Sequence, residues 1–243
     1  HERQKMMTGG QNYDVFHMSE SMGYQAQYMR NTLQLNSGKF RNKMLFSEIS
    51  FLGGISSTDW SWAPLFADFD NDGWKDLFIA NGYRKDVTNL DFIFFGLKGA
   101  SPFGTKEARR EKFNKELNDL PEVKLSNYIF RNTGTLKFAD YTKEWGMDFP
   151  GFSNGAVYAD FDRDGDLDLV TNNIDEDVTL YENQSNHLDL APHYLQIAFA
   201  DSNKFLNQKV WAYAEGKVQF QELTPYRGFQ SSVTNVIHFG LGE

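Results

Sequence analysis

The sequence predicts an all-β protein, assembled from short antiparallel strands in repeated units, with one helical insertion. Three observations carry that prediction. The stretch ADFDNDGWKDLF at 67–78 returns as ADFDRDGDLDLV at 159–170, each time between apolar flanks. A second pattern has three echoes, QYMRNTLQLNSGKF at 27–40, NYIFRNTGTLKF at 127–138 and a curtailed TLYENQSN at 179–186. The composition, 40% hydrophobic and 16% aromatic in 243 residues, is ample for a buried core.

Each unit reads as a short aromatic strand, a turn rich in Asn, Gly and Ser, and a second strand ending in Phe. A linker leads to a third strand (WSWAPLFADF or FSNGAVYADF), then the Asp-rich loop, then an apolar or β-branched strand, DLFIANG or DLVTNN. About four short strands per unit is the arithmetic of a propeller blade. Asn132 follows Asp68 by 64 residues but Asn183 follows Asp160 by 23, so about 41 residues are inserted in the first unit, over roughly 84–126. Within the insertion TKEARREKFNKELNDLP at 105–121 is dense in helix formers, places Phe113, Leu117 and Leu120 on one face and ends at Pro121. From Asn186 the Asp loops stop, and HYLQIAFA, KVWAYAEG and KVQFQEL alternate as strands. The expected organisation is therefore blades over 1–185 and a distinct β-rich segment over 186–243.

Asp68, Asp70, Asp72 and Asp76 form D-x-D-x-D-G-x-x-D, and Asp160, Asp162, Asp164 and Asp168 repeat it without a gap. Calcium takes six to eight hard oxygen ligands, and carboxylates at alternate positions of a tight loop converge on one point. Gly73 and Gly165 permit the left-handed bend, the following Trp74 and Asp166 need offer only a carbonyl, and the last Asp closes the shell. Without a cation these carboxylates repel and raise one another's pKa. Two Ca2+ sites are expected. An EF-hand is excluded, because its loop needs a bidentate Glu at the twelfth position, and here those positions are Ile79 and Thr171, between strands. Magnesium, which keeps its waters and wants a rigid octahedron, suits the loop less well. Solvated Asp-Gly turns are the competing reading of one such match, and two matches in like strand contexts argue against it.

The formal net charge of −9 argues against a phosphate-tracking surface, so no nucleic-acid partner is expected. There is no Cys, hence no disulfide or thiolate site, and no apolar run of eighteen residues that would make a transmembrane helix. His1, His17, His187, His193 and His238 share no ligand spacing, and Ser56 and Ser57 lie in no nucleophile elbow. Carboxylates gathered round one cation are not the facing acid and base of a glycosidase. Trp60, Trp62, Trp74, Trp145 and Trp211 read as packing residues before a sugar platform. No enzyme activity is expected.

The Asp loops, together with the aromatic-Arg-Asn strands, resemble FG-GAP/VCBS repeats, the blades of integrin-α-like β-propellers. TDWSWAPLFADFDNDGWKDLFIANGY, NYIFRNTG, FSNGAVYADFDRDGDLDLVTNN and ELTPYRGFQSSVTNVIHFGLG are similar to stretches of VCBS-repeat proteins of Bacteroidetes-type bacteria that end in an ASPIC/UnbV domain. One difference is KFLNQKVWAY at 204–213, where the resemblance leads one to expect a glycine-rich turn. The resemblance implies calcium in each Asp loop and a seven-bladed propeller, of which this chain is a segment. It also implies a non-catalytic module for recognition or scaffolding, with a protein or glycan ligand at the cell surface. Alternatives are an accessory subunit of an outer-membrane nutrient-uptake or glycan-handling complex, or the non-catalytic part of a hydrolase. Sites that fill only at extracellular-type calcium levels favour the periplasm, cell surface or medium over a bacterial cytosol.

Overall fold

The computed structural model describes residues 13–24, 30–86, 105–187, 191–201, 204–214, 216–228 and 230–242. These residues are mostly β with few helices, and their sheets do not close into a propeller ring. The chain divides into two compact units, one of 1–50, 55–59 and 83–124, the other of 51–54, 60–82 and 125–243. Each is described by itself.

In the first unit a hairpin pairs β1 (Gln34–Phe40) with β2 (Lys43–Glu48). Its turn is not at Asn36-Ser37-Gly38, as the first echo suggests. That triplet lies in β1 beside a register irregularity between Asn36 and Lys39, and the chain reverses at Arg41 and Asn42, both left-handed with φ 46° and 65°. Two consecutive left-handed residues are what a two-residue hairpin turn needs, and Asn tolerates the conformation.

The sequence insertion leaves and returns through a narrow neck. Lys85 bridges Glu122, Asp86 N donates to Pro121 O at 3.4 Å, and Val123 N donates to Arg84 O at 3.3 Å. The expected helix is present at Lys106–Asn118, capped by the Thr105 hydroxyl, which accepts from Ala108 N at 3.2 Å. Phe113, Glu116 and Leu117 are half-buried in it, as is Leu120 just beyond its end, and Lys85 Nζ donates to the carbonyls of Asn118 and Leu120. Residues 87–104 of the insertion lie outside the described residues.

The second unit holds both Asp loops. A four-stranded antiparallel sheet runs in the order β3 (Ser61–Ala67), β4 (Asp76–Asn81), β5 (Tyr128–Asn132), β6 (Phe138–Asp140). A three-stranded sheet follows with β7 (Ser153–Ala159), β8 (Asp168–Asn173) and β9 (Thr179–Tyr181). Each Asp loop is therefore the hairpin connection of the first two strands of its sheet. This shifts the phase of the repeat: the aromatic-Arg-Asn strand completes the sheet begun by the Asp loop before it, rather than opening the next one. β3 tolerates Pro64 because it is an edge strand and bulged between Trp62 and Leu65; β7 carries a matching bulge between Ser153 and Gly155. The sheets bury Ala63, Leu65, Phe78, Ile129, Ala156 and Leu169 in one apolar core. β4, covered on both faces, is buried along its whole length.

The remaining strands pair β10 (His193–Ala198) with β13 (Val236–Gly242), and β11 (Lys209–Ala214) with β12 (Lys217–Glu222). Ala212, Leu223, Ile237 and Phe239 form a second core there. Where glycine was expected before β11, Asn207 takes the left-handed role with φ 64° and donates its N–H to Leu223 O at 2.8 Å. One face of the β11–β12 hairpin presents Trp211, Tyr213, Val218 and Phe220 to solvent, Tyr213 being 77% exposed.

Because Lys85 and Glu122 are bridge partners, replacing 87–120 by a turn of about three residues closes the chain without displacing β4 or β5. The expected result is a thermal transition of the second unit within a few degrees of the parent. Loss of folding in the shortened chain would count the insertion as core.

Candidate metal centre

Both Asp loops fold alike, residue for residue. The first carboxylate accepts from the loop glycine, Gly73 N to Asp68 Oδ2 at 2.9 Å and Gly165 N to Asp160 Oδ2 at 3.2 Å. The next two alternate carboxylates each accept from the amide two residues on. These are Asp72 N to Asp70 Oδ1 at 3.3 Å, Trp74 N to Asp72 Oδ1 at 2.8 Å, Asp164 N to Asp162 Oδ1 at 3.2 Å and Asp166 N to Asp164 Oδ1 at 3.1 Å. Such local bonds are why Asp is favoured in tight loops. The last carboxylate spans the loop, Asp76 accepting from Phe69 N at 3.1 Å and Asp168 from Phe161 N at 2.8 Å. Two residues per loop are left-handed: Gly73 and Gly165 at φ 90° and 96°, and also Asn71 and Arg163 at 55° and 67°.

An asparagine at the same place after each loop anchors it. Asn132 N donates to Asp76 Oδ1 at 2.8 Å and its amide to Lys75 O at 3.0 Å; Asn183 N donates to Asp168 Oδ1 at 2.8 Å and its amide to Leu167 O at 3.0 Å. These are the Asn residues of the second sequence pattern, which explains why that pattern accompanies the Asp loops.

The folding brings carboxylate oxygens of Asp68, Asp70 and Asp76 within 4.8 Å of one another, and likewise those of Asp160, Asp162 and Asp168. Asp68, only 4% exposed, keeps Oδ1 without a hydrogen-bond partner, and Asp160 Oδ1 is equally unpartnered. An orphaned carboxylate oxygen in a nest of others is costly unless a cation takes it, and an all-oxygen set of hard donors suits a hard divalent ion. The other expected ligands stand differently. Asp72 gives Oδ2 to Arg131 at 3.2 Å, and Asp164 has Oδ2 3.5 Å from His187 Nε2. Asp166 turns its buried side chain to the 3₁₀ turn Ser185–His187, accepting from Ser185 Oγ at 3.0 Å and Asn186 N at 3.1 Å. Trp74 is 47% exposed, and the loop holds it through its N–H.

The loops differ in their neighbours. Arg131 donates from Nε to Asp70 Oδ2 at 2.5 Å and lies over the Tyr141 ring, giving the first loop a resident counter-charge. The matching residue of the second loop is Glu182.

Sequence reasoning missed the contacts made by β10 and β13. Gly240 lies so close to the first loop that an added Cβ would collide with Asp68 Oδ2 and fall 2.5 Å from Asn71 Cα. Gly242 N donates to Asn71 O at 2.9 Å, and the Tyr194 ring covers Gly165. His238, 5% exposed, sets Nε2 2.6 Å from Asn71 Oδ1, and burial pulls its pKa down to about 4 against the attraction of Asp160. The HFGLG glycines were the available signal.

Residues 202–243 match the ASPIC and UnbV family model. The match takes in β11, β12 and β13, so the segment that lies on the first Asp loop is the one the family model recognises. A comparison of the chain with curated proteins finds no match.

Burial is the main cause of the carboxyl shifts, ahead of mutual repulsion. It pushes Asp68 up to about 7, with Asp72 and Asp70 adding to it, and Asp76 up to about 8, with Asp70 adding. These folded values exceed the unfolded 3.8, so protonation of both groups favours the cation-free fold fully below about pH 4. That contribution is lost as pH rises through 7 and 8. The urea midpoint in chelator is therefore expected to fall from pH 5 to pH 8. A saturating divalent cation replaces the protons and should flatten or reverse the slope. A second prediction concerns packing: Gly240→Ala is expected to lower stability by about 1–3 kcal/mol, because the methyl meets backbone and carboxylate. Chemical denaturation of parent and variant checks it.

Proposed function

We propose that the chain is a calcium-binding, non-catalytic recognition or scaffolding module of FG-GAP/VCBS propeller type, ending in an ASPIC/UnbV segment and working outside the cytosol. The observation that carries this reading is the pair of matching loops with an orphaned oxygen on the first Asp of each. Asp68, Asp70 and Asp76, and Asp160, Asp162 and Asp168, would hold one ion each, with Asp72, Asp164 and the carbonyls of Trp74 and Asp166 as the further oxygens sequence suggests. The bound ion would supply positive charge that holds the loops closed. Arg131 must yield part of Asp70 to the first ion, so that loop fills at a higher calcium concentration than its carboxylates alone would set.

The recognition part of the reading draws on the exposed Trp211, Tyr213 and Phe220 of the β11–β12 hairpin, flanked by the register pair Lys209 and Glu222. Aromatic faces beside polar groups suit a glycan or a protein hot spot at the cell surface. An accessory role in an outer-membrane uptake or glycan-handling complex uses the same face.

Calcium stabilises by mass action, about 2.7 kcal/mol per site at a hundredfold excess over Kd and about 0.4 kcal/mol at Kd. Calorimetry is expected to give two ions per chain, with one lost in Asp70→Ala or Asp162→Ala, and a melting temperature raised by millimolar calcium. Absence of binding at millimolar calcium, or equal binding of magnesium, would return the loops to ordinary turns.

A further inference from the structure

We propose that the two loops are a single coupled cation unit, in which Asn71, Gln196 and His238 position each loop according to the state of the other. The inference rests on the cation reading above. Gln196 and His238 are register partners on β10 and β13, so their side chains leave the same face of one two-stranded sheet. Gln196 Nε2 donates to Asp160 Oδ2 at 2.7 Å, on the first carboxylate of the second loop, and lies 3.4 Å from His238 Nδ1. His238 Nε2 in turn reaches Asn71 Oδ1 in the first loop at 2.6 Å. Asn71 closes the circuit, since its amide donates to Gly165 O in the second loop at 3.2 Å. That bond fixes Oδ1 as the acceptor facing the imidazole, so the neutral ring donates from Nε2 and accepts at Nδ1.

A second strap runs the other way. Asn183, which anchors Asp168, also donates its amide to Phe69 O beside the first loop at 2.6 Å. Asn71 sits between Asp70 and Asp72 in a left-handed conformation, φ 55°, which its side-chain bonds help to hold. Asp68, 4% exposed with an unpartnered Oδ1, is the independent sign that the first loop awaits a ligand. Ordering either loop therefore orders the sheet and the Asn71 side chain that the other loop needs. An ion entering second meets a loop whose ordering cost has already been met, which is positive cooperativity.

The test is calcium calorimetry on the full chain, stripped by chelator, in five forms. These are the parent, Asp70→Ala, Asp162→Ala, Asn71→Gly and Arg163→Gly. Glycine keeps the left-handed backbone at 71 and removes both side-chain bonds; Arg163 occupies the equivalent, exposed position of the second loop and controls for added flexibility. In the parent, the second ion should bind roughly tenfold tighter than an ion binds alone in either single-loop variant. Asn71→Gly should still take two ions but reduce that enhancement to within about twofold, while Arg163→Gly retains it.

A parent that binds two ions with the affinities of the single-loop variants overturns the coupling and leaves the cation reading standing. Retained coupling in Asn71→Gly overturns the route. A parent that binds no calcium removes both readings together. Should Asn71→Gly fail to fold, hydrogen exchange on Asp162→Ala decides. Calcium, which can then enter only the first loop, should raise protection at Tyr194–Ile197 on β10, which contacts the second loop; unchanged protection overturns the inference.

Discussion

Carboxylates packed inside a protein must be neutralised or they unfold it, and this constraint organises the second unit. Asp68, Asp76 and Asp168 are withdrawn from water and Asp160 is half-buried, and the fold answers with backbone N–H groups, from Phe69, Gly73 and Asn132 in one loop and Phe161, Gly165 and Asn183 in the other. Hydrogen bonds to the ionised form lower a carboxyl's pKa, burial and like charge raise it, and for Asp68 and Asp76 the second pair wins. The left-handed residues and the anchoring asparagines are ways of bringing backbone close enough to serve those oxygens, and the glycine of β13 lets a further strand lie against the loop. The hairpin connection of a β-sheet is a good place for such a cage, because two paired strands fix where the loop begins and ends.

Much of this was legible in the sequence. D-x-D-x-D-G-x-x-D states both the turn and the carboxylates it gathers, and apolar strands such as DLFIANG beside it state the sheet. The helix at Lys106–Asn118 was legible from its formers, its apolar face and Pro121. The phase of the repeat was misread, although the interval from each Asp loop to the following Asn had already paired Asn132 and Asn183 with the loop before them. A cyclic pattern has no marked start in one dimension; hydrogen bonding supplies one. The first echo misled for a related reason. Asn-Ser-Gly is a good turn sequence, but Arg41 and Asn42 gave the chain a reversal that keeps more of β1 and β2 in register.

The role of β10 and β13 was not legible. Asn71 and His238 are 167 residues apart, and no local pattern announces that they meet. A buried neutral histidine looks like any packing histidine until its partner is known. What could have been read was the cost of HFGLG: glycine in a strand gives up side-chain packing, and a strand that does so usually admits another backbone. Here the admitted backbone is the first Asp loop, so β13 forms part of the wall around that loop.

The exchange of Arg131 for Glu182 gives the two loops different charge balances. In the first loop the Arg131 guanidinium by itself holds Asp70 and Asp72 together. In the second loop Glu182 stands where Arg131 does in the first, and His187 Nε2 approaches Asp164 Oδ2 at 3.5 Å. Two loops alike in backbone thus differ in the charge around them, a guanidinium on Asp70 and Asp72 in the first and a carboxylate side chain at the matching position of the second.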